Sequence, residues 1–195
     1  MKEGITPRQL EIMEAAGKLL TQLGVSGLTI KNLAIEMKFS ESAIYRHFKS
    51  KEDIIIAMLD YLAENMDKRI SDAVMGDLSS EDNLMAIFQS QFSFFSNYPF
   101  FVVAVFSDGL LDESDRVNAA ISKLMGIKSK YLLSLIEKGQ SDGTFRNNIP
   151  ANDLLHIILA SVRLLMFKWR VSHFQFDIIR EGERLLSSVL TLIKE

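Results

Sequence analysis

The chain has 195 residues, 48% of them hydrophobic, and a formal charge of −3, which is enough apolar content for a buried core and excludes a disordered chain. It has no cysteine, which excludes a disulfide scaffold, a thiolate metal site and a cysteine nucleophile together. The charge is uneven: residues 1–51 carry eight Lys and Arg against five Asp and Glu, and residues 52–195 carry 14 against 20, so a mildly basic first quarter precedes an acidic remainder.

The N-terminal stretch MKEGITPRQLEIMEAAGK lacks the apolar run of a secretory signal. The most apolar window, 94–111, is broken by Asn97, Pro99, Ser107 and Asp108. The expectation is a soluble cytoplasmic protein with no membrane partner.

Apolar residues recur at helical spacing almost throughout, with only three prolines, so the predicted fold is all-α with about nine helices. A first helix is predicted over 7–23: Pro7 suits a first turn, Ile12, Ala16, Leu19 and Leu23 form one stripe, and Gly24 supplies the stop. Thr29 caps a second helix whose buried face is Ile30, Leu33, Ala34 and Met37. Ser40 caps a third, and Ser50, with Asp53 three residues on, has the form of a capping box opening a long fourth helix toward Gly76. Beyond the break GDLSSEDN, helices are predicted over 83–97, 99–111, 115–139, 151–171 and 176–194. The last two are apolar on more than one side, which predicts a subunit interface as well as a core.

The segment Ser40-Glu41-Ser42-Ala43-Ile44-Tyr45-Arg46-His47-Phe48-Lys49-Ser50-Lys51-Glu52 carries the chemistry. At about 100° per residue, Ile44 and Phe48 share one face of a short helix, while Ser42, Tyr45 and Arg46 gather opposite, with His47 at the border. A capped helix, a brief turn at Lys38-Phe39, and a second short helix held down by two apolar anchors have the form of a helix-turn-helix. Arg46 suits guanine acceptors or phosphate, Tyr45 and His47 suit phosphate oxygens, and Ser42 allows close approach. Lys51, in the first turn of the fourth helix, reads as part of a phosphate clamp, and Thr29 as a second clamp on the neighbouring backbone.

Residues 8–55 resemble the DNA-binding domain of the tetracycline-repressor-like (TetR/AcrR) transcription regulators. The resemblance is carried by Ala15-Ala16 and Leu19-Leu20 before Gly24, then Leu28-Thr29-Ile30-Lys31-Asn32-Leu33-Ala34, and above all Tyr45-x-His47-Phe48-x-Ser50-Lys51-Glu52. It implies a homodimer with two recognition helices in successive major grooves of a palindromic double-stranded operator, and a C-terminal domain that binds a small effector and releases the DNA. It implies a helix-turn-helix domain over 1–50 and a helical effector-binding and dimerisation domain over 51–195. By position it implies DNA contacts from Thr29, Ser40, Ser42, Tyr45, Arg46, His47 and Lys51. Serine at 42, where relatives often have glycine, and the acidic Glu41 keep base preference from being carried over.

A phenylalanine-rich stretch, with Met125, Met166 and Trp169, is either an ordinary helical core or the lining of a pocket for a hydrophobic or amphipathic effector; Phe92, Phe95 and Phe106 are the pocket candidates within it. Arg163 interrupts an apolar helix between Val162 and Leu164, and a buried arginine needs an anionic partner, from the protein or from a ligand carboxylate. No His and carboxylate set has the spacing of a metal or nucleophile site, and no glycine loop cradles a phosphate. Neither an enzyme nor a cofactor is expected. A transcription repressor is the leading reading, and a helical carrier or interaction module without operator binding is the rival.

Overall fold

The computed structural model describes residues 5–74, 76–106, 108–111 and 113–194. Among these the fold is all-α, as predicted: α1 Pro7–Gly27, α2 Ile30–Met37, α3 Glu41–Tyr45, α4 Lys51–Ala73, α5 Ser80–Asn97, α6 Phe100–Phe106, a single 3-10 turn Asp108–Leu110, α7 Asp115–Ser141, α8 Ala151–Val171 and α9 Ile178–Ile193. They form two compact units: the chain up to Glu64 with Phe100–Leu124, and Asn65–Pro99 with Met125–Glu195. Two continuous helices, α4 and α7, contribute residues to both.

In the first unit, α1 starts at a capping box absent from the sequence prediction. The Thr6 hydroxyl accepts from the Gln9 N–H at 3.3 Å, and the Gln9 side-chain oxygen accepts from the Thr6 N–H at 3.0 Å. Gly24, the predicted stop, has φ 69° and ψ −173°. That left-handed conformation breaks the helix, which resumes for one short stretch to Gly27. Ile12, Met13, Ala16, Leu19 and Leu20 are buried along one side of α1, which packs on α2 and α6.

In the second unit, α9 packs against both α5 and α8. The approach of α9 to α5 requires Gly182: a Cβ there would lie 2.3 Å from Cε2 of Phe92, a ring that is itself fully buried. Trp169 closes the turn between α8 and α9. Its indole N–H donates to the Phe176 carbonyl at 2.8 Å, and its ring meets Phe174 edge-on at 4.8 Å. His173 and Phe174 in that turn both have positive φ, 54° and 62°, a conformation unfavourable for side chains with a Cβ and held here by the Phe174 N–H bond to the Trp169 carbonyl at 2.8 Å.

Predicted boundaries shift where a cap decides them. α5 begins at Ser80 rather than 83 because the Ser79 hydroxyl accepts from the Asp82 N–H at 3.0 Å. α9 begins at Ile178 rather than 176 because the Asp177 carboxylate accepts from the N–H groups of Ile179 and Arg180 at 3.0 and 3.1 Å. The helix predicted over 99–111 is α6, which ends at Phe106, and the separate 3-10 turn.

Replacing Gly182 with Ala forces Phe92 out of its place and is expected to destabilise the protein by about 1–3 kcal/mol. Urea denaturation checks this, and adding Phe92→Leu should recover part of the loss.

Candidate nucleic-acid interface

The interface is built from α2 outward. The Thr29 hydroxyl accepts from the Asn32 N–H at 3.1 Å and starts α2, which buries Leu33 and Ala34. At the other end Lys38 adopts the left-handed conformation, φ 56°, and its N–H bonds the Ile35 carbonyl at 3.1 Å while the Phe39 N–H bonds the Ala34 carbonyl at 2.9 Å. This closes the helix and redirects the chain. The Ser40 hydroxyl then accepts from the Ala43 N–H at 3.2 Å and lies 2.9 Å from the Ser42 hydroxyl, opening α3.

Helix α3 has five residues, shorter than the predicted span. A bond from the Phe48 N–H to the Ile44 carbonyl at 3.1 Å continues the turn beyond it. Ile44 is 0% exposed and Phe48 7%, whereas Tyr45 is 51% exposed. Ser40, Ser42, Arg46 and His47 are also exposed. The anchors are inside and the polar set outside, as the helical geometry requires. Two hydroxyls, a phenol, an imidazole and a guanidinium thus face water over a two-turn surface, a set able to donate hydrogen bonds to base acceptors and phosphate oxygens. Glu41, the acidic residue of this turn, is exposed beside them.

Sequence reasoning missed Arg8. Its guanidinium carbon lies 5.0 Å from the centroid of the Phe39 ring, in the turn before α3, and it pairs with Glu11 at 2.5 Å. A cleft of about 570 Å³ is lined by Thr6, Arg8, Gln9, Arg46 and His47, with Pro7 and Glu11, so the start of α1 and the end of α3 share one concave surface. Nothing in the residues around Arg8 signals this; it follows from the tertiary fold of α1 beside α3.

The start of α4 is capped as expected, the Ser50 hydroxyl accepting from the Asp53 N–H at 3.1 Å. The Asp53 carboxylate pairs instead with Arg116 at 3.1 Å, and Glu52 with the same guanidinium at 2.6 Å. These two carboxylates, Asp53 first, hold the Arg116 pKa above its usual range. The Lys51 ammonium, expected at a phosphate, lies 2.6 Å from the Glu113 carboxylate.

The candidate pocket residues are divided between the two units. Phe92, Phe95, Met166 and Trp169 are buried in the second unit, where Phe92 faces Gly182 and Trp169 closes the α8–α9 turn. Phe106 belongs to the first unit and is half-buried, and Met125 is 62% exposed. The premise of a buried Arg163 does not hold. Val162 and Met166 turn inward, and Arg163 lies with Leu164 and Phe167 on the exposed side of α8. Among the described residues no three His, Asp or Glu are grouped to hold a metal, and no helix is long and apolar enough to cross a membrane.

A capped helix, a left-handed turn and a short helix presenting a polar face have the form of a DNA-binding helix-turn-helix. Residues 12–58 match the family model described as bacterial regulatory proteins, tetR family. Over 120 residues, 61% of each chain, the sequence is 32% identical to the nucleoid occlusion factor SlmA of Alteromonas mediterranea. The fold is similar to that of the ketosteroid transcriptional regulator KstR2 of Mycobacterium tuberculosis, with a TM-score of 0.84, 19% identity and coverage of 98% of this chain and 97% of that one. It is similar also to the transcriptional regulator FadR of Bacillus subtilis, solved in complex with stearoyl-CoA, with a TM-score of 0.79, 15% identity and coverage of 94% and 98%. Residues 12–58 thus carry the helix-turn-helix segment of the tetR-family bacterial regulatory proteins, and the fold of the chain is similar to that of solved transcriptional regulators.

Anchors and face separate by mutation. Ile44→Ala is expected to cost about 2–5 kcal/mol of stability, while Tyr45→Ala with Arg46→Ala should stay within about 0.5 kcal/mol of the parent, both read from urea denaturation midpoints.

Proposed function

We propose that the protein is a repressor that binds a palindromic operator as a homodimer and is released when a small apolar or amphipathic molecule binds its effector domain. The observation that carries this reading is the split of α3: Ile44 and Phe48 buried, Tyr45, Arg46 and Ser42 exposed, within the segment that matches the family model. Thr29, Ser40, Ser42, Tyr45, Arg46, His47 and Lys51 make the DNA contacts. Lys51 exchanges Glu113 for a phosphate when the DNA arrives, a substitution that a partly exposed ion pair tolerates at small cost. Residues 1–50 carry recognition and residues 51–195 carry effector binding and dimerisation.

Dimer formation is supported by a stripe on α8. Ile157, Leu164, Phe167 and Val171 are all exposed, at spacings that keep them on one side of the helix, and Leu192 is exposed on α9, which packs on α8. A second copy of the same surface would cover this stripe symmetrically. An apolar effector is supported by two relatives of the same fold: one is named a ketosteroid regulator and the other was solved with stearoyl-CoA. The effector selects a conformation in which the two recognition helices no longer match major-groove faces about 34 Å apart. A coupling of about 1–3 kcal/mol weakens DNA binding five- to 150-fold.

The match to SlmA favours a second reading, in which the DNA-bound chain acts in nucleoid occlusion. Mapping its sites on the chromosome separates the two: a few promoter-proximal sites support the repressor, and many dispersed sites far from promoters support the second reading.

Binding to a duplex selected by the protein from a random pool is expected to weaken steeply with salt, the logarithm of affinity falling by about 0.9 per neutralised phosphate for each decade of salt. Tyr45→Ala with Arg46→Ala should lower affinity by about 100-fold or more; unchanged affinity would remove α3 from the interface. Leu164→Glu with Phe167→Glu should give monomers in sedimentation velocity and lose tight operator binding.

A further inference from the structure

Lys128, on α7, is partly buried and turned toward α5. Its ammonium lies 4.4 Å from the centroid of the Phe88 ring and donates to the Gln91 side-chain oxygen at 2.5 Å. Phe88 is fully buried and Gln91 nearly so. Neither neighbour carries a charge. On α4, Arg69 brings a second cation into the same unit, its guanidinium 4.4 Å over the Phe94 ring and bonded to the Asn65 side-chain oxygen at 2.6 Å and the Ser90 carbonyl at 3.2 Å.

An ammonium withdrawn from water needs an anion or loses its proton. In a chain with 25 acidic residues, no carboxylate among the described residues pairs with Lys128. Asp67, on the same helix as Arg69, is engaged by the Tyr131 hydroxyl at 3.0 Å. The charge acting on Lys128 is that of Arg69, which repels it. Burial first, and Arg69 second, lower its pKa to about 7. A cation–π contact and one amide bond return only part of the lost hydration.

We propose that Lys128, with Gln91 beside it, receives the carboxylate head group of an amphipathic effector. This rests on the reading of residues 51–195 as the effector-binding part and narrows it to an anionic ligand. The carboxylate takes the place of Gln91 as acceptor for the ammonium, and the Gln91 amide turns to donate to it. Because the anion restores the Lys128 proton, binding takes up a proton above pH 7, and affinity for the carboxylate falls as pH rises from 7 toward the ordinary lysine range.

The test is titration calorimetry at pH 8 with dodecanoate and dodecan-1-ol, each in two buffers of different ionisation enthalpy. The wild-type protein is expected to bind dodecanoate at least about tenfold more tightly than the alcohol and to take up about one proton with it. Lys128→Met should bind both probes alike with no proton uptake. Lys128→Arg should keep the preference but lose the uptake, and this variant carries the test should Lys128→Met fail to fold. Equal binding of both probes by the wild type, no binding of either, or a preference that survives in Lys128→Met would overturn the proposal. Release of operator by a neutral molecule, independent of Lys128, would leave the repressor reading standing and remove the head-group site. Dodecanoate binding with its proton signature but no effect on operator affinity would do the reverse.

Discussion

Two apolar side chains four residues apart fix the roll of the recognition helix, and most of what the protein does with DNA follows from that roll. A five-residue helix has no stability of its own in water, because nucleation costs more than one turn of hydrogen bonds returns. α3 exists because Ile44 and Phe48 are buried, each contributing about 1.5–3 kcal/mol, and because Ser40 caps it and the left-handed Lys38 aims the chain into it. With those two positions held, Tyr45 and Arg46, one and two residues on from Ile44, have only the outer side available. The polar face is a geometric consequence of the apolar one.

The two units differ in how they use charge. In the first, ion pairs such as Lys51 with Glu113, Arg116 with Glu52 and Asp53, and Lys123 with Asp60 are partly open to solvent. Such pairs add little stability, but they orient the side chains at the start of α4, where a phosphate would compete for Lys51. In the second unit, Lys128 and Arg69 rest on phenylalanine rings, and the helices close around Gly182 and Phe92. A surface pair is cheap to exchange, whereas an ammonium held among apolar side chains is costly until an anion reaches it. On the proposed reading, this difference suits one part to meeting DNA reversibly and the other to sensing a charged small molecule.

The helix-turn-helix was legible because its signals are local. Thr29, Ser40 and Ser50 cap the helices they were expected to cap, and the four-residue spacing of Ile44 and Phe48 dictates the buried side without any tertiary information. Capping also explains the misjudged boundaries: Thr6, Ser79 and Asp177 hold the ends of α1, α5 and α9, but polar residues of this kind occur throughout the chain and only the structure selects among them. What was not legible depends on contacts between distant segments. The partition of 100–124 with the N-terminal residues, the pairing of Lys51 with Glu113, and Arg8 over Phe39 all join residues far apart in sequence. Arg163 was misjudged because an apolar neighbourhood in sequence is not a buried one. Leu164, one of the two apolar residues between which it stands, is itself exposed. Lys128 was passed over for the converse reason, since a lysine on a mixed helix reads as solvated until its ammonium is seen against Phe88.

The most direct test of the central claim exploits the absence of cysteine. Ser42→Cys gives a protein with one thiol, on the outer side of α3, to which an iron chelate that cleaves DNA can be attached. Bound to its selected duplex, the labelled protein is predicted to cut in two clusters about one helical turn, 10–10.5 base pairs, or a multiple of it apart. Cleavage spread evenly along the duplex, as free chelate gives, would contradict the placement of this face on the DNA.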